Sequence, residues 1–129
     1  MIPKFRAYDS GSTTRMYQPE EVMVCDGDIW IDDEDFEAGE WIVNNDLNLM
    51  QSTGLFDKDG QEIFEGDIVR QVRTQPTTGN EIITGVVTML EGAWLIMNDN
   101  EQLASYLWSE TDENEIIGNI YENPELLER

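Results

Sequence analysis

The sequence predicts a mainly β protein, with an N-terminal β-meander region, a small antiparallel barrel behind it and a short C-terminal helix. Three observations carry this prediction. Short β-branched and aromatic runs recur along the chain, as in EVMVC, DIWI and DIVRQV. Gly, Asn and Asp pairs, which favour tight turns, cut these runs at close intervals. The chain of 129 residues is 40% hydrophobic and 9% aromatic, a content of core formers too high for an acidic disordered tail.

The elements follow in order. Residues 4–8 and 15–18 read as strands joined by Asp9-Ser10-Gly11-Ser12. Residues 21–25 and 28–31 flank Asp26-Gly27, the pair a two-residue hairpin prefers because its central residues need positive φ. Asp32, Asp33, Glu34, Asp35, Glu37 and Glu40 then make an acidic loop before a strand at 41–43, and residues 46–51 fit no single pattern. The next strands, 67–72, 82–90, 94–98 and 103–108, are separated by QPTTGN, Glu91-Gly92 and Asp99-Asn100, a spacing that suits a small barrel. Apolar and polar residues alternate imperfectly in 67–72, which predicts a strand covered on both faces. Residues 116–121 read as a closing strand. Asn123, Pro124 and Glu125 supply a cap, a first-position proline and a first-turn acid for a short helix. A boundary near 50–55 divides a β region at 1–50 from a barrel domain at 51–129.

Charge narrows the partners. Against 28 acidic residues stand 7 basic ones, a formal net charge of -21. No Lys or Arg occurs between Arg15 and Lys58 or between Arg73 and Arg129. Such a chain repels phosphate backbones and anionic lipid, whose protein partners bind chiefly through Lys and Arg. The acidity serves solubility first and attracts a basic partner second. No run of apolar residues is long enough to cross a bilayer as a helix, the opening MIPKFRAYD lacks the pattern of a secretory signal, and Cys25 is the only cysteine. Together these predict a reducing cytosolic compartment.

Catalytic chemistry finds little support. The chain contains no His, which removes the usual general base, the commonest transition-metal ligand and any Ser-His-Asp or Cys-His arrangement. Cys25 ends the alternating run EVMVC without a neighbouring base, and reads as a buried or half-buried small hydrophobe. In FDKDGQEIFEG, aligning Gly60 with the sixth position of a calcium loop puts Asp57 and Asp59 correctly but Leu55 first and Gly66 last, so the match fails at both ends. Residues 57–60 read instead as a turn in which Asp satisfies nearby amides. The acids at 32–40 match no defined cation loop and read as a solvated turn. Trp30, Trp41, Trp94 and Trp108 each lie in strand-like runs, where a core role is ordinary and an exposed Trp would be the informative exception. These readings predict a non-enzyme without metal or cofactor.

Three separated segments carry a family resemblance: KFRAYD at 4–9, LMQSTGLFDKDGQEIFEGDIV at 49–69 and IIGNIYENPELLE at 116–128. Together they resemble the YopX family, small proteins of phages and prophages, mainly of Gram-positive bacteria. The middle, 81–108, follows the family only in kind, and Tyr8 stands where the family often has Trp. The resemblance implies an SH3-like form for the C-terminal barrel, a structural role for 52–70, and a host bacterial cytoplasmic location. It brings no activity and no catalytic residues.

Two functions are then expected. The first is a phage accessory protein that acts through protein contacts and self-assembly, with Lys58, Arg70 and Arg73 as candidate subunit contacts that pair with acids. The alternative is an acidic DNA mimic that occupies a basic host nucleic-acid-binding protein through Asp32, Asp33, Glu34, Asp35, Glu37 and Glu40. A direct nucleic-acid-binding barrel would need a basic face, which seven bases scarcely supply.

Overall fold

The computed structural model describes residues 4–11, 14–32, 40–75, 79–98, 103–108 and 112–127. Contacts divide the chain into two compact units, Met1–Ser52 and Thr53–Arg129. No helix among the described residues is long and apolar enough to cross a membrane.

In the first unit, β1 (Phe5–Tyr8) and β2 (Met16–Tyr17) form a hairpin, and β1 also pairs with the start of β6 (Asn48–Phe56). A separate three-stranded sheet holds β3 (Val22–Cys25), β4 (Asp28–Asp32) and β5 (Trp41–Val43). The first four strands therefore do not form one continuous meander. Pro19–Glu21 interrupts them as a 3-10 turn closed by reciprocal bonds between Gln18 and Glu21, which redirects the chain before β3. The hairpin at Asp26-Gly27 has φ values of 52° and 81°, the doubly positive pair of a type I′ turn. Ala7, Tyr17, Val22, Ile29, Ile31 and Leu47 form the core of this unit.

Cys25 is exposed, contrary to the buried place its apolar run suggests. It ends β3, an edge strand in which Val22 alone is buried, beside the hairpin turn. Alternation puts Cys25 and Met23 on the outer face.

The second unit centres on a five-stranded antiparallel sheet in the order β11-β10-β9-β8-β12. Its strands are β8 (Asp67–Gln75), β9 (Gly79–Leu90), β10 (Ala93–Asn98), β11 (Leu103–Tyr106) and β12 (Glu113–Asn119), preceded by the short β7 (Glu62–Phe64). Ile63, Val69, Ile83, Val87, Ile96 and Leu107 form its core, with Leu55, Trp94 and Ile116 packed against them. Both faces of β8 are covered at its start, where Asp67, Ile68 and Val69 are all buried, as the imperfect alternation predicts. The sheet curls until Tyr106 and Leu107 reach β8: buried Gln71 donates from Nε2 to their carbonyls at 3.1 and 3.4 Å and to Asn114 Oδ1 at 3.0 Å. Ser105 donates its hydroxyl to Gln71 Oε1 at 2.7 Å. Side-chain amides thus join strands that no ladder connects.

Within the resemblance segment 116–128, residues 119–123 make a local knot. Asn119 Oδ1 accepts the amides of Tyr121 and Glu122, and its Nδ2 donates to Glu122 at 2.7 Å. Where a helix is expected, Pro124–Leu127 makes one 3-10 turn. The expected cap Asn123 instead accepts the Asn119 amide at 3.2 Å.

Candidate partner-binding cleft

The acid-rich stretch at 57–61 builds a wall. Asp57 Oδ1 accepts the amides of Asp59 and Gln61 at 3.0 and 2.9 Å, while Oδ2 accepts that of Ile116 on β12 at 3.1 Å. Gly60 closes the turn at φ 84°, a conformation glycine adopts without steric cost. Both carboxylate oxygens are therefore committed to backbone, which is a turn's chemistry and not a cation loop's. Asp67 plays a similar part at the second turn, where Oδ2 accepts the Phe64 amide at 2.8 Å. Asp57→Ala leaves three amides without their shared acceptor and is expected to cost about 2 kcal/mol. An unchanged urea midpoint would contradict this.

Three segments of the second unit enclose a shallow, solvent-open cleft of about 460 Å³: Gly54 to Lys58, Leu107 with Trp108, and Asp112 to Asn114. Each wall is pinned. The Lys58 amide donates to Asn114 O at 2.9 Å, Asn114 Nδ2 donates to Leu107 O at 2.7 Å, and Gln71 holds the Leu107 side from below. Into this frame the chain sets two aromatic side chains that its core does not use, Phe56 at 60% and Trp108 at 61% exposure.

The core role expected for Trp108 is thus overturned. β11 ends at Tyr106, and along 105–108 Ser105 and Leu107 are buried while Tyr106 and Trp108 are exposed, so the period of two turns Trp108 outward. Its position at the end of an apolar run, directly before SETDEN, was the available sign. Phe56 has a similar cue, since it closes β6 against the Asp57 turn. Trp30, Trp41 and Trp94 are half-buried.

Lys58 and Arg70 come together on one acid. Arg70 donates to Glu115 Oε1, and Lys58 Nζ lies 3.4 Å from Glu115 Oε2. The Arg70 hydrogen bond first, and the Lys58 bond next, hold the Glu115 carboxyl below its usual value of 4.5. A carboxyl so lowered contributes stability above its unfolded value and loses it as pH falls through the lower folded value. The pairing should therefore persist through neutral pH and fail below 4.5. Carboxyl titration by NMR should give Glu115 a midpoint below that of an ordinary Glu, moving up in Arg70→Gln; identical midpoints would contradict the pairing.

The other expected contact residues are more scattered. Arg73 lies on β8 opposite Glu81 in the backbone register, and its side chain falls outside the described residues. Asp32 ends β4 opposite Trp41, and Glu40 is exposed just before β5. Asp33, Glu34, Asp35 and Glu37 lie outside the described residues.

These features define a mainly β protein whose second unit displays an aromatic cleft on a hydrogen-bonded frame. The family described as YopX protein matches residues 4–128, and the chain belongs to the YopX family. It is similar to the crystal structure of protein EF1440 from Enterococcus faecalis, with 30% identity and a TM-score of 0.68 over 99% of both chains. The crystal structure of yopX from Bacillus subtilis shares the fold at 17% identity and a TM-score of 0.64, covering 98% of this chain and 96% of that one. No curated protein matches the chain.

Proposed function

We propose that this chain is a non-enzymatic phage or prophage accessory protein that works in the host bacterial cytoplasm through protein contacts at the cleft of its second unit. The observation that carries this reading is the pair Phe56 and Trp108, exposed and lining one cleft. Exposed aromatics on a fixed frame are the usual anchors of protein interfaces, because they bring large contact area at little conformational cost. The absence of His and the commitment of Asp57 to three amides support a binding role over a catalytic one. An SH3-like barrel fits the second unit, since strands β8 to β11 follow one another in the sheet and β12 returns to pair with β8.

Self-assembly belongs to the same reading. On the outer face of the three-stranded sheet, Met23, Trp30 and Val43 stand directly opposite one another, with Met23 and Val43 each 44% exposed. Such a row is the kind of surface a second subunit covers, against the repulsion of like charge. Light scattering should show an assembly that grows with salt, and a monomer at every concentration would remove this part.

The protein-contact reading is tested by a photo-crosslinking amino acid placed at position 108 and, separately, at exposed Leu90 at the end of β9. In host cells carrying the phage, position 108 should capture a discrete protein that position 90 does not. Equal yields at both positions, or none at 108, would sink the reading.

A further inference from the structure

We propose that the cleft takes an extended, basic segment of a partner protein. The proposal rests on the protein-contact reading and names the chemistry of the partner. Exposed Phe56 stands on one side of the cleft and exposed Trp108 on another, in a lining that is otherwise mainly polar. A polar trough flanked by two displayed rings suits an extended backbone whose prolyl rings or aliphatic stems lie against those rings, as in grooves that bind polyproline segments. Arg and Lys add attraction to an aromatic face through their charge.

Charge at the rim selects the sign. Asp112 and Glu113 form the third side of the cleft. The one base among the described lining residues, Lys58, shares Glu115 with Arg70, and the carboxylates of Asp57, Asp112 and Glu113 in the same lining outnumber it. The chain as a whole carries -21, which draws cationic segments and repels anionic ones. A second copy of this chain would bring its own -21 to the acidic rim, and a nucleic acid would bring phosphates. A basic peptide meets neither objection. The walls are also tied to each other through Asn114, Asp57 and Gln71, so little ordering cost falls on binding.

The test uses the full chain, labelled with nitrogen-15, and two synthetic dodecapeptides, one alternating Pro and Arg, the other alternating Pro and Glu. The Pro-Arg peptide should shift the amides of the cleft walls, and its affinity should fall steeply with salt. Trp108→Ser and Phe56→Ser keep the net charge, yet each should weaken binding about tenfold. Asp112→Asn with Glu113→Gln should weaken it as well and flatten the salt dependence. Shifts spread over the whole surface, with equal affinity for wild type and Trp108→Ser, would show unspecific attraction to an acidic protein and overturn the proposal. Binding of the Pro-Glu peptide with similar affinity would overturn it too. If the Pro-Arg peptide leaves the cleft unmoved while the crosslinker at 108 still captures a protein, the basic segment is wrong and the protein-contact reading stands.

Discussion

Gly85→Ala should destabilise the second unit by about 3 kcal/mol, and Gly85→Val by more, because overpacking against fixed atoms is among the costlier single changes. A Cβ on Gly85 would lie 2.6 Å from the carbonyl oxygen of Met97, 2.8 Å from its carbon and 2.9 Å from Ile96 Cγ2. Two of these atoms are backbone of β10, which pairs with β9 through Val86 and Met97. Relief therefore requires moving a strand and cannot come from a rotamer change. Glycine inside a strand commonly marks such a close approach. Gly60 provides the contrast, since nothing lies within 4 Å of a Cβ there and φ is 84°. Gly60→Ala meets only backbone strain, about 1 kcal/mol. Urea unfolding should rank Gly85→Ala well below Gly60→Ala, and the reverse order would refute this account of how β9 and β10 pack.

Gln71→Leu has the second large effect, about 3 kcal/mol. Gln71 is fully buried at 0% exposure and makes three contacts, to Ser105, Tyr106 and Leu107, that join β8 to the far end of the sheet, and a fourth to Asn114 on the neighbouring β12. Leucine has a similar volume, so the loss is almost wholly polar. The Ser105 hydroxyl loses its acceptor, and Asn114 Oδ1 loses a donor, in a region water does not reach freely. Partly satisfied buried networks cost more than apolar replacements of the whole set. Hydrogen exchange should quicken at 105–107 before the unit unfolds globally, because these residues depend on Gln71 for their connection to β8. Unchanged exchange there would show that the curled sheet holds without the amide knot.

The sequence was readable where turn chemistry is local. Asp26-Gly27 and Glu91-Gly92 each carry the positive φ values of a two-residue hairpin turn, 52° and 81°, 51° and 82°. The strands at 82–90 and 94–98 follow from the second pair, and β9 and β10 contain them. Residues 46–51 resisted reading because β6 is a long strand that changes partners: its start pairs with β1, and further on Thr53 Oγ1 donates to Ile63 O of β7 at 2.8 Å. Pairing between distant segments leaves no local mark. β7 has three residues and so offers no periodicity to detect. The sequence places the closing strand at 116–121, but β12 runs Glu113–Asn119, since its polar first residues owe their place to cross-strand partners such as Val72 and Gln71.

The cleft was less legible than the fold. Charge alone singles out Lys58, and its companion Arg70 meets it through Glu115, a residue 45 positions along from Arg70. Gln71 and Asn114 look like ordinary polar residues of exposed strand faces until the sheet curls and buries their contacts. Trp108 follows the apolar residues of its run, and a count of Trp cannot tell a core ring from a displayed one. Asp57 is legible as a turn acid, yet its bond to Ile116 spans 59 residues and lies beyond any local argument. The segment that looks most like chemistry, 52–70, supplies much of the frame and one displayed ring, Phe56, while the other ring, Trp108, closes a run that looks like core.

The most direct measurement pairs two readouts on the variant Phe56→Ser with Trp108→Ser: unfolding free energy, and capture of the cellular partner compared with wild type. Exposed aromatics that serve binding should leave stability within about 1 kcal/mol of wild type, while partner capture is lost. A variant that unfolds but, when folded, still captures the partner normally would contradict the account and return Phe56 and Trp108 to the core.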